Sequence, residues 1–261
     1  MARRLWTLMW GALALIYFFV PLYGTFDFSL RMQRGMLSLR AYELVLSDPR
    51  FWEGLRYSAL MALVTILISA LLFVPTVYWM HLRLPQARPV LEIATLLPFV
   101  VPAVVLVFGL IRTFSRPPLQ LTNTPFTTDI LIAAGYAVLS MPYMFRAVDV
   151  GMRAIDVRTL TEAAQMLGAS RWQLLRDVIF PNVRVAVLSG ALITFALVMG
   201  ELVLASFLVR PALGPYMQLM GLTKAYEPAA LAILSFALTW LSLGALQLLG
   251  RRTLITQMTT R

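Results

Sequence analysis

Side chains that could catalyse a reaction are scarce in this chain of 261 residues. Cysteine is absent and His81 is the single histidine, so the sequence offers neither a thiol nucleophile nor a cluster of typical metal ligands. The single lysine, Lys224, is followed by Ala225, whereas a phosphate-binding P-loop needs lysine followed by serine or threonine. The sequence therefore predicts a protein that is not an enzyme and that binds no cofactor, metal ion or ATP of its own.

Glu201 is the one acidic residue placed well inside a predicted hydrophobic segment. An ionised side chain at the centre of a membrane helix costs roughly 2.5–3.5 kcal/mol, and such residues usually face the bundle interior and mark a solute pathway. Glu201 lies about 24 Å along a helix that begins at Val185, in its outer half. We predict that Glu201 lines a pathway. The alternatives are a structural hydrogen bond between helices and an ion pair with Arg210.

The elements that must position these residues are hydrophobic segments of about the length of a membrane-spanning helix. The chain is 60% hydrophobic and 13% charged, with a mean hydropathy of +0.79, whereas soluble domains are roughly 45–50% apolar and about 25% charged. A bilayer core is spanned by about 20 apolar residues in a helix. The sequence predicts an all-α integral membrane protein with six transmembrane helices, at about residues 5–26, 57–80, 93–111, 130–145, 185–209 and 228–249.

Basic residues predict how these six helices are oriented. More than half of the 22 lysine and arginine residues fall in the segments that lie inside if both termini are inside. Positive residues are enriched in cytoplasmic loops. Both termini and the segment 146–184 are therefore predicted to be cytoplasmic. The net charge of +10 is explained by the membrane, so no nucleic-acid partner is expected.

The segment 146–184, called here the inner loop, has the pattern of two short helices joined by a glycine turn. Residues 159–162 (Thr-Leu-Thr-Glu) fit a capping box that opens the first helix, and Gly168 suits the left-handed turn that ends it. Residues 170–173 fit a second capping box, and Pro181 is expected to end or bend the second helix. The small residues of the loop would let another surface approach the backbone: Ala163, Ala164, Gly168 and Ala169.

The same loop resembles the EAA motif of permease subunits of binding-protein-dependent ABC importers. The matching residues are Glu162-Ala163-Ala164, Gly168 and, after nine intervening residues, Val178-x-Phe180-Pro181. The family pattern ends in I-x-L-P, so Val178 and Phe180 are conservative departures. The run Leu167-Gly168-Ala169-Ser170 also matches, and the resemblance extends over about residues 52–249.

This resemblance implies a type I importer permease whose loop forms a coupling helix inserted into a cleft of a cytoplasmic ATPase. Its coupling residues would be Glu162, Ala163, Ala164, Gly168, Ala169 and Pro181, although Glu162 could serve only as the capping carboxylate. The implied organisation is a first helix and outer loop (1–51), a transmembrane core (52–250) and a cytoplasmic tail (251–261). The implied location is a bacterial inner membrane.

The resemblance also implies partners and a class of substrate. The partners are a cytoplasmic ABC ATPase dimer, a second permease subunit forming a heterodimer, an extracytoplasmic binding protein and membrane lipid. The residues after Gly200 are similar to those of polyamine-, iron- and thiamine-type permeases, and an acidic Glu201 favours a polyamine such as spermidine or putrescine. Iron, thiamine, another organic cation or a sugar remain alternatives within this class. An ion-coupled secondary transporter, or a membrane enzyme or scaffold, are alternatives from other classes.

Overall fold

A computed structural model describes residues 2–258, and within that range the regular structure is helical, with no strand. The helices are α1 (Ala2–Ser29), α2 (Arg40–Ser47), α3 (Pro49–Arg83), α4 (Arg88–Val100), α5 (Ala103–Phe114), α6 (Pro125–Arg153), α7 (Val157–Met166), α8 (Arg171–Gln173), α9 (Phe180–Met199), α10 (Val203–Phe207), α11 (Leu213–Thr223) and α12 (Glu227–Met258). A 3₁₀ turn (Pro85–Ala87) precedes α4, and a π-helical turn (Leu174–Ile179) joins α8 to α9. The predicted all-α class is confirmed.

In the part of the chain that the structure describes, five helical stretches are long and apolar enough to cross a bilayer, and a bent pair of helices would make a sixth span. The bent pair replaces the predicted third span, because residues 85–100 and Ala103–Phe114 meet at an angle of 100°. Val101 is extended at this bend (φ −88°, ψ 116°), as expected for the residue before a proline, here Pro102. Pro98 lies inside α4 and Pro102 is the N-cap of α5, and proline bends a helix because it has no backbone N–H to donate.

Helices α3, α6 and α9 pack against one another at the centre of the bundle. Small residues allow this close packing: a Cβ at Gly190 would lie 2.9 Å from the sulfur of Met144, and one at Gly151 would lie 2.5 Å from the Cβ of Ala186. A hydrogen bond of 3.3 Å joins the buried hydroxyls of Ser69 and Ser140 across α3 and α6. Helix α1 packs on α12 and exposes much of its apolar surface, as a lipid-facing helix would.

The two ends of the bundle carry different structures. The end that bears residues 154–170 is called the loop end here, and the other is called the opposite end. At the opposite end the predicted span 185–209 is wrong in its second half, because α9 ends at Met199 with Gly200 as its C-cap. The chain then turns back through α10 and α11. Of the predicted tail 251–261, residues 251–258 continue α12 and residues 259–261 lie outside the described residues.

Candidate functional site

The first short helix of the inner loop is α7, and its cap differs from the predicted one. Helix α7 begins at Val157, and Asp156 is its N-cap, accepting hydrogen bonds from the Thr159 backbone N–H (3.1 Å) and hydroxyl (2.7 Å). The capping box predicted at residues 159–162 is therefore wrong, because the helix starts earlier than Thr159. The Glu162 carboxylate instead accepts a hydrogen bond of 2.9 Å from Nε of Arg158 on the exposed face.

The Thr159 hydroxyl and backbone N–H hold the pKa of Asp156 below its usual value of 3.8, since both donate to the ionised form. A carboxyl whose pKa is lowered by folding contributes stability above its unfolded pKa and loses it as the pH falls through the folded pKa. The cap of α7 is therefore intact at neutral pH.

The turn between the two short helices is left-handed, as the sequence predicts. Gly168 has a φ of +82°, and the Ala169 backbone N–H donates to the Ala164 carbonyl at 3.0 Å. Ser170 and Gln173 then form the predicted capping box, with the Ser170 N–H donating to the Gln173 side-chain oxygen at 2.8 Å. Both features depend on neighbouring residues alone, and both predictions are confirmed.

The tip of the inner loop consists of two exposed apolar side chains, Met166 and Leu167, which together are called the knob here. Met166 and Leu167 are 90% and 89% exposed, and Gly168 follows them directly. Glu162 and Ala163 are also exposed, whereas Ala164 is buried against the bundle and Ala169 is half-buried. Two adjacent apolar side chains exposed to this degree are available for contact with another protein. The predicted coupling residues thus divide into an outward set around Gly168 and a buried residue, Ala164, that holds α7 in place.

The inner loop packs against the end of α3 through polar and apolar side-chain contacts. The hydroxyls of Tyr78 and Thr161 lie 3.2 Å apart, and the guanidinium of Arg171 lies 5.9 Å from the ring centroid of Trp79. Leu174 and Ile179 are buried in the same apolar cluster as the end of α3. The inner loop therefore contacts α3 directly and α9 through the π-helical turn.

Of the two predicted effects of Pro181, ending or bending the second helix of the loop, the structure excludes the first. The helix runs without a break from Arg171 to Met199, and Pro181 stands in its path directly after the π-helical turn Leu174–Ile179. Proline has no N–H to donate, and a π-helical turn already shifts the hydrogen-bond register from i→i+4 to i→i+5. The loop and the span α9 therefore form one continuous element.

At the opposite end, the buried Glu201 carboxylate accepts hydrogen bonds from backbone N–H groups. Its Oε1 lies 2.7 Å from the nitrogen of Val203 and 2.9 Å from that of Leu204, and its Oε2 lies 3.3 Å from that of Ala205. These groups are the unpaired donors at the start of α10. These bonds close within four residues of the chain, so they cap α10 and are not the predicted hydrogen bond between helices. The pathway role of Glu201 stays a prediction. The alternative pairing with Arg210 is wrong, because Arg210 binds Asp129.

Arg210, Asp129 and Tyr57 form a cluster that the sequence did not predict. Arg210 Nε lies 2.7 Å from Asp129 Oδ1, and the Tyr57 hydroxyl donates to the same oxygen at 2.6 Å. The cluster joins the start of α3, the start of α6 and the segment 200–212, which follows α9. In the sequence, Asp129 and Arg210 stand at the outer ends of two predicted spans. No local pattern indicates that these two residues pair with each other.

Neutralising either partner of this cluster is expected to loosen the segment 200–212. Asp129→Asn and Arg210→Gln should each lower the free energy of unfolding, and the double variant should lose less than the sum of the two. The expected coupling energy is about 1–3 kcal/mol, since the side chains are mostly buried. A double-mutant cycle on the detergent-solubilised chain measures it. Strictly additive losses would show that the pair contributes nothing beyond its separate contacts.

A second charged network, also unpredicted, lies at the loop end. The buried Asp149 carboxylate contacts His81 at 2.8 Å and Arg88 at 3.2 Å, and Arg153 also pairs with it. Glu92 accepts from Arg88 at 2.9 Å. A polar cleft of about 230 Å³ opens beside this network, between α4 and α6. Within residues 2–258, no three His, Asp or Glu side chains are grouped so that they could hold a metal ion.

Comparison with known proteins gives the family and its relatives. Residues 85–254 match the family described as binding-protein-dependent transport system inner membrane component. A molybdate/tungstate transport system permease protein of Thermococcus kodakarensis is 30% identical over 156 residues, which are 60% of each chain. A 2-aminoethylphosphonate transport system permease protein of Salmonella typhimurium is 28% identical over 93% of this chain and 92% of its own. The molybdenum transport system permease protein of Escherichia coli is 27% identical over 60% of this chain and 71% of its own.

Solved structures share the fold. A bacterial ABC transporter involved in the import of alginate matches with a TM-score of 0.70 at 14% identity, covering 96% of this chain and 94% of that one. The MetNI methionine ABC transporter matches with a TM-score of 0.56 at 19% identity, covering 82% of this chain and 100% of that one. The relatives described above are named as permeases for molybdate or 2-aminoethylphosphonate, and the solved structures are transporters of alginate and methionine. The predicted spermidine/putrescine branch therefore gains no support from them.

Proposed function

We propose that the inner loop of this chain, which belongs to the family of binding-protein-dependent transport system inner membrane components, couples the bundle to a separate ATPase. The chain is a permease subunit of an ABC importer and not an enzyme. The observation that carries the proposal is the knob of Met166 and Leu167 beside the left-handed Gly168. The knob is apolar and exposed, and the loop that carries it packs against α3 and α9. ATPase closure would push on it and move both helices.

The proposed assembly contains two permease subunits, an ATPase dimer in the cytoplasm and a binding protein on the other side. Six spans at most within residues 2–258 make a small bundle for a complete pathway, which supports pairing with a second permease. We favour a heterodimer. The alginate and methionine transporters of similar fold support the kind of assembly, and the resemblance in the loop supports its ATPase contact.

The proposed substrate is an oxyanion, such as molybdate or a phosphonate, because relatives of this chain carry those names. The acidic groups give no support to a polyamine. Glu201 is satisfied by backbone N–H groups, Asp129 by Arg210, and Asp149 by three basic side chains. Each of these carboxylates has its own partners, so none of the three is left free to attract a cation. A ferric substrate, as in a Haemophilus influenzae relative, is the second candidate.

Two measurements test this function. The tagged chain should copurify with an ABC ATPase, and Leu167→Asp in the knob should abolish that copurification while Leu222→Asp, a change at another highly exposed leucine in α11, should not. Proteoliposomes containing the complex and its binding protein should then take up labelled molybdate or 2-aminoethylphosphonate. Uptake that unlabelled spermidine suppresses, and that neither oxyanion suppresses, would overturn the proposed substrate.

Orientation gives a further prediction, that the loop and both termini are cytoplasmic. The chain lacks cysteine, so Ser170→Cys and Thr260→Cys each introduce a single thiol, Thr260 lying outside the described residues. An impermeant maleimide should label neither thiol in intact cells and both after the membrane is opened. Gln33→Cys in the segment between α1 and α2 is the control and should be labelled from outside. Labelling of the Ser170→Cys variant from outside would refute the orientation.

A further inference from the structure

An apolar groove of about 420 Å³ runs along the outside of the bundle between α3 and α9. Its floor and walls are aliphatic and aromatic, including Leu63, Leu67, Leu71, Phe180 and Val187. The three leucines are more than half exposed. Helix α1, the least buried of the long helices, packs on α12 instead, so it does not fill this groove.

The mouth of the groove lies at the loop end and has a different chemistry. Trp172 and Arg176, from the helix that follows the glycine turn, line it there. Trp172 is 64% exposed, and tryptophan favours the level of lipid headgroups. Arg176 has one acidic neighbour, Asp177, at 3.8 Å, and both side chains are largely exposed. A guanidinium held this loosely is free to bind a phosphate through two N–H groups.

The length of the groove fits one lipid leaflet. Leu63 and Pro75 mark its extent along α3, and twelve residues of helix span about 18 Å. One leaflet of the hydrocarbon core is about 15 Å deep, half of the usual core thickness. The groove is therefore long enough for most of one acyl chain, and Arg176 lies at its end nearer the inner loop.

We propose that this groove is a binding site for an anionic phospholipid, with an acyl chain between α3 and α9 and the phosphate on Arg176. The site adjoins the π-helical turn Leu174–Ile179, which joins the inner loop to α9. A bound lipid would therefore stabilise this turn, through which we propose that movement of the knob reaches α9. The inference does not depend on the substrate of the transporter. It does not require a particular second permease either.

Quenching of Trp172 by brominated lipid tests this site in the assembled transporter, reconstituted in nanodiscs. Phosphatidylglycerol and phosphatidylcholine carrying the same dibrominated acyl chains are compared. The contribution of Trp172 is taken as the difference between the natural chain and Trp172→Phe. Phosphatidylglycerol should quench Trp172 at several-fold lower mole fraction than phosphatidylcholine. Arg176→Gln should weaken the apparent affinity for phosphatidylglycerol about five-fold, the effect expected of one arginine near a membrane surface.

Two control variants accompany this measurement. Arg176→Lys keeps the charge and should keep the preference for phosphatidylglycerol. Arg116→Gln, at an exposed arginine of the opposite end, should leave it unchanged. Equal quenching by the two lipids would show ordinary bulk lipid at the groove and overturn the proposal. Absence of quenching by either lipid would show that a protein segment, such as a helix of the second permease, covers the groove, and that also would overturn it.

Discussion

Valine in place of Gly168 is expected to reduce the substrate-stimulated ATPase activity of the assembled complex roughly tenfold, while the chain still inserts into the membrane. Gly168 has a φ of +82°, and a residue with a side chain pays about 1–2 kcal/mol in that region, with a β-branched residue at the unfavourable end. The penalty falls on the turn that presents Met166 and Leu167. The knob would then populate its docking geometry about ten times less often.

Gly35 supplies a matched control for Gly168→Val. It has the same φ of +82°, and a Cβ would meet nothing within 4 Å at either glycine. Gly35 lies between α1 and α2, away from the inner loop, so Gly35→Val carries similar backbone strain without touching the knob. ATPase stimulation should survive that change, and Gly168→Asn should retain much of it because asparagine tolerates the left-handed turn. Full stimulation by Gly168→Val would refute the proposed coupling.

Glutamine in place of Glu201 is expected to lower the free energy of unfolding by about 1–3 kcal/mol, because a buried charge-assisted acceptor is lost. The carboxylate accepts three backbone N–H groups with two oxygens. Glutamine keeps one oxygen and turns an NH₂ group toward the third donor. Thermal unfolding of the purified chain measures the loss. Uptake per assembled complex should remain normal.

Gly214 offers an independent change in the same part of the bundle. A Cβ there would lie 2.4 Å from the carbonyl oxygen of Glu201, and a backbone atom cannot move aside as a flexible side chain would. Gly214→Ala should therefore destabilise the segment 200–212 as Glu201→Gln does. Gly221→Ala, in the same helix with open space around it, is its matched control. A several-fold fall in uptake by Glu201→Gln at unchanged stability would instead identify Glu201 as a pathway residue.

The elements that depend on neighbouring residues were predictable. Long apolar runs imply helices that satisfy their own backbone groups in lipid, which placed the spans α3, α6 and α12. The glycine turn at Gly168 and the capping box from Ser170 to Gln173 are also local, since each closes within three or four residues. The cap of α7 was missed by three residues because Asp156 competes with Thr159 for the same role. The sequence contains both candidates and does not rank them.

Tertiary structure decided what joins distant parts of the chain. Tyr57 and Asp129 are 72 residues apart, and Arg210 is 153 residues from Tyr57, so no periodicity could pair them. The end of α9 was not predicted either. A helix through Glu201 is locally favourable by hydropathy, but α9 ends with Gly200 as its C-cap, and the Glu201 carboxylate accepts hydrogen bonds from the first N–H groups of α10, two to four residues later. The sequence determined which segments are helices in a membrane. The tertiary structure decided where one of them breaks and which distant charges pair, because hydropathy does not distinguish a continuous span from one that turns against another helix.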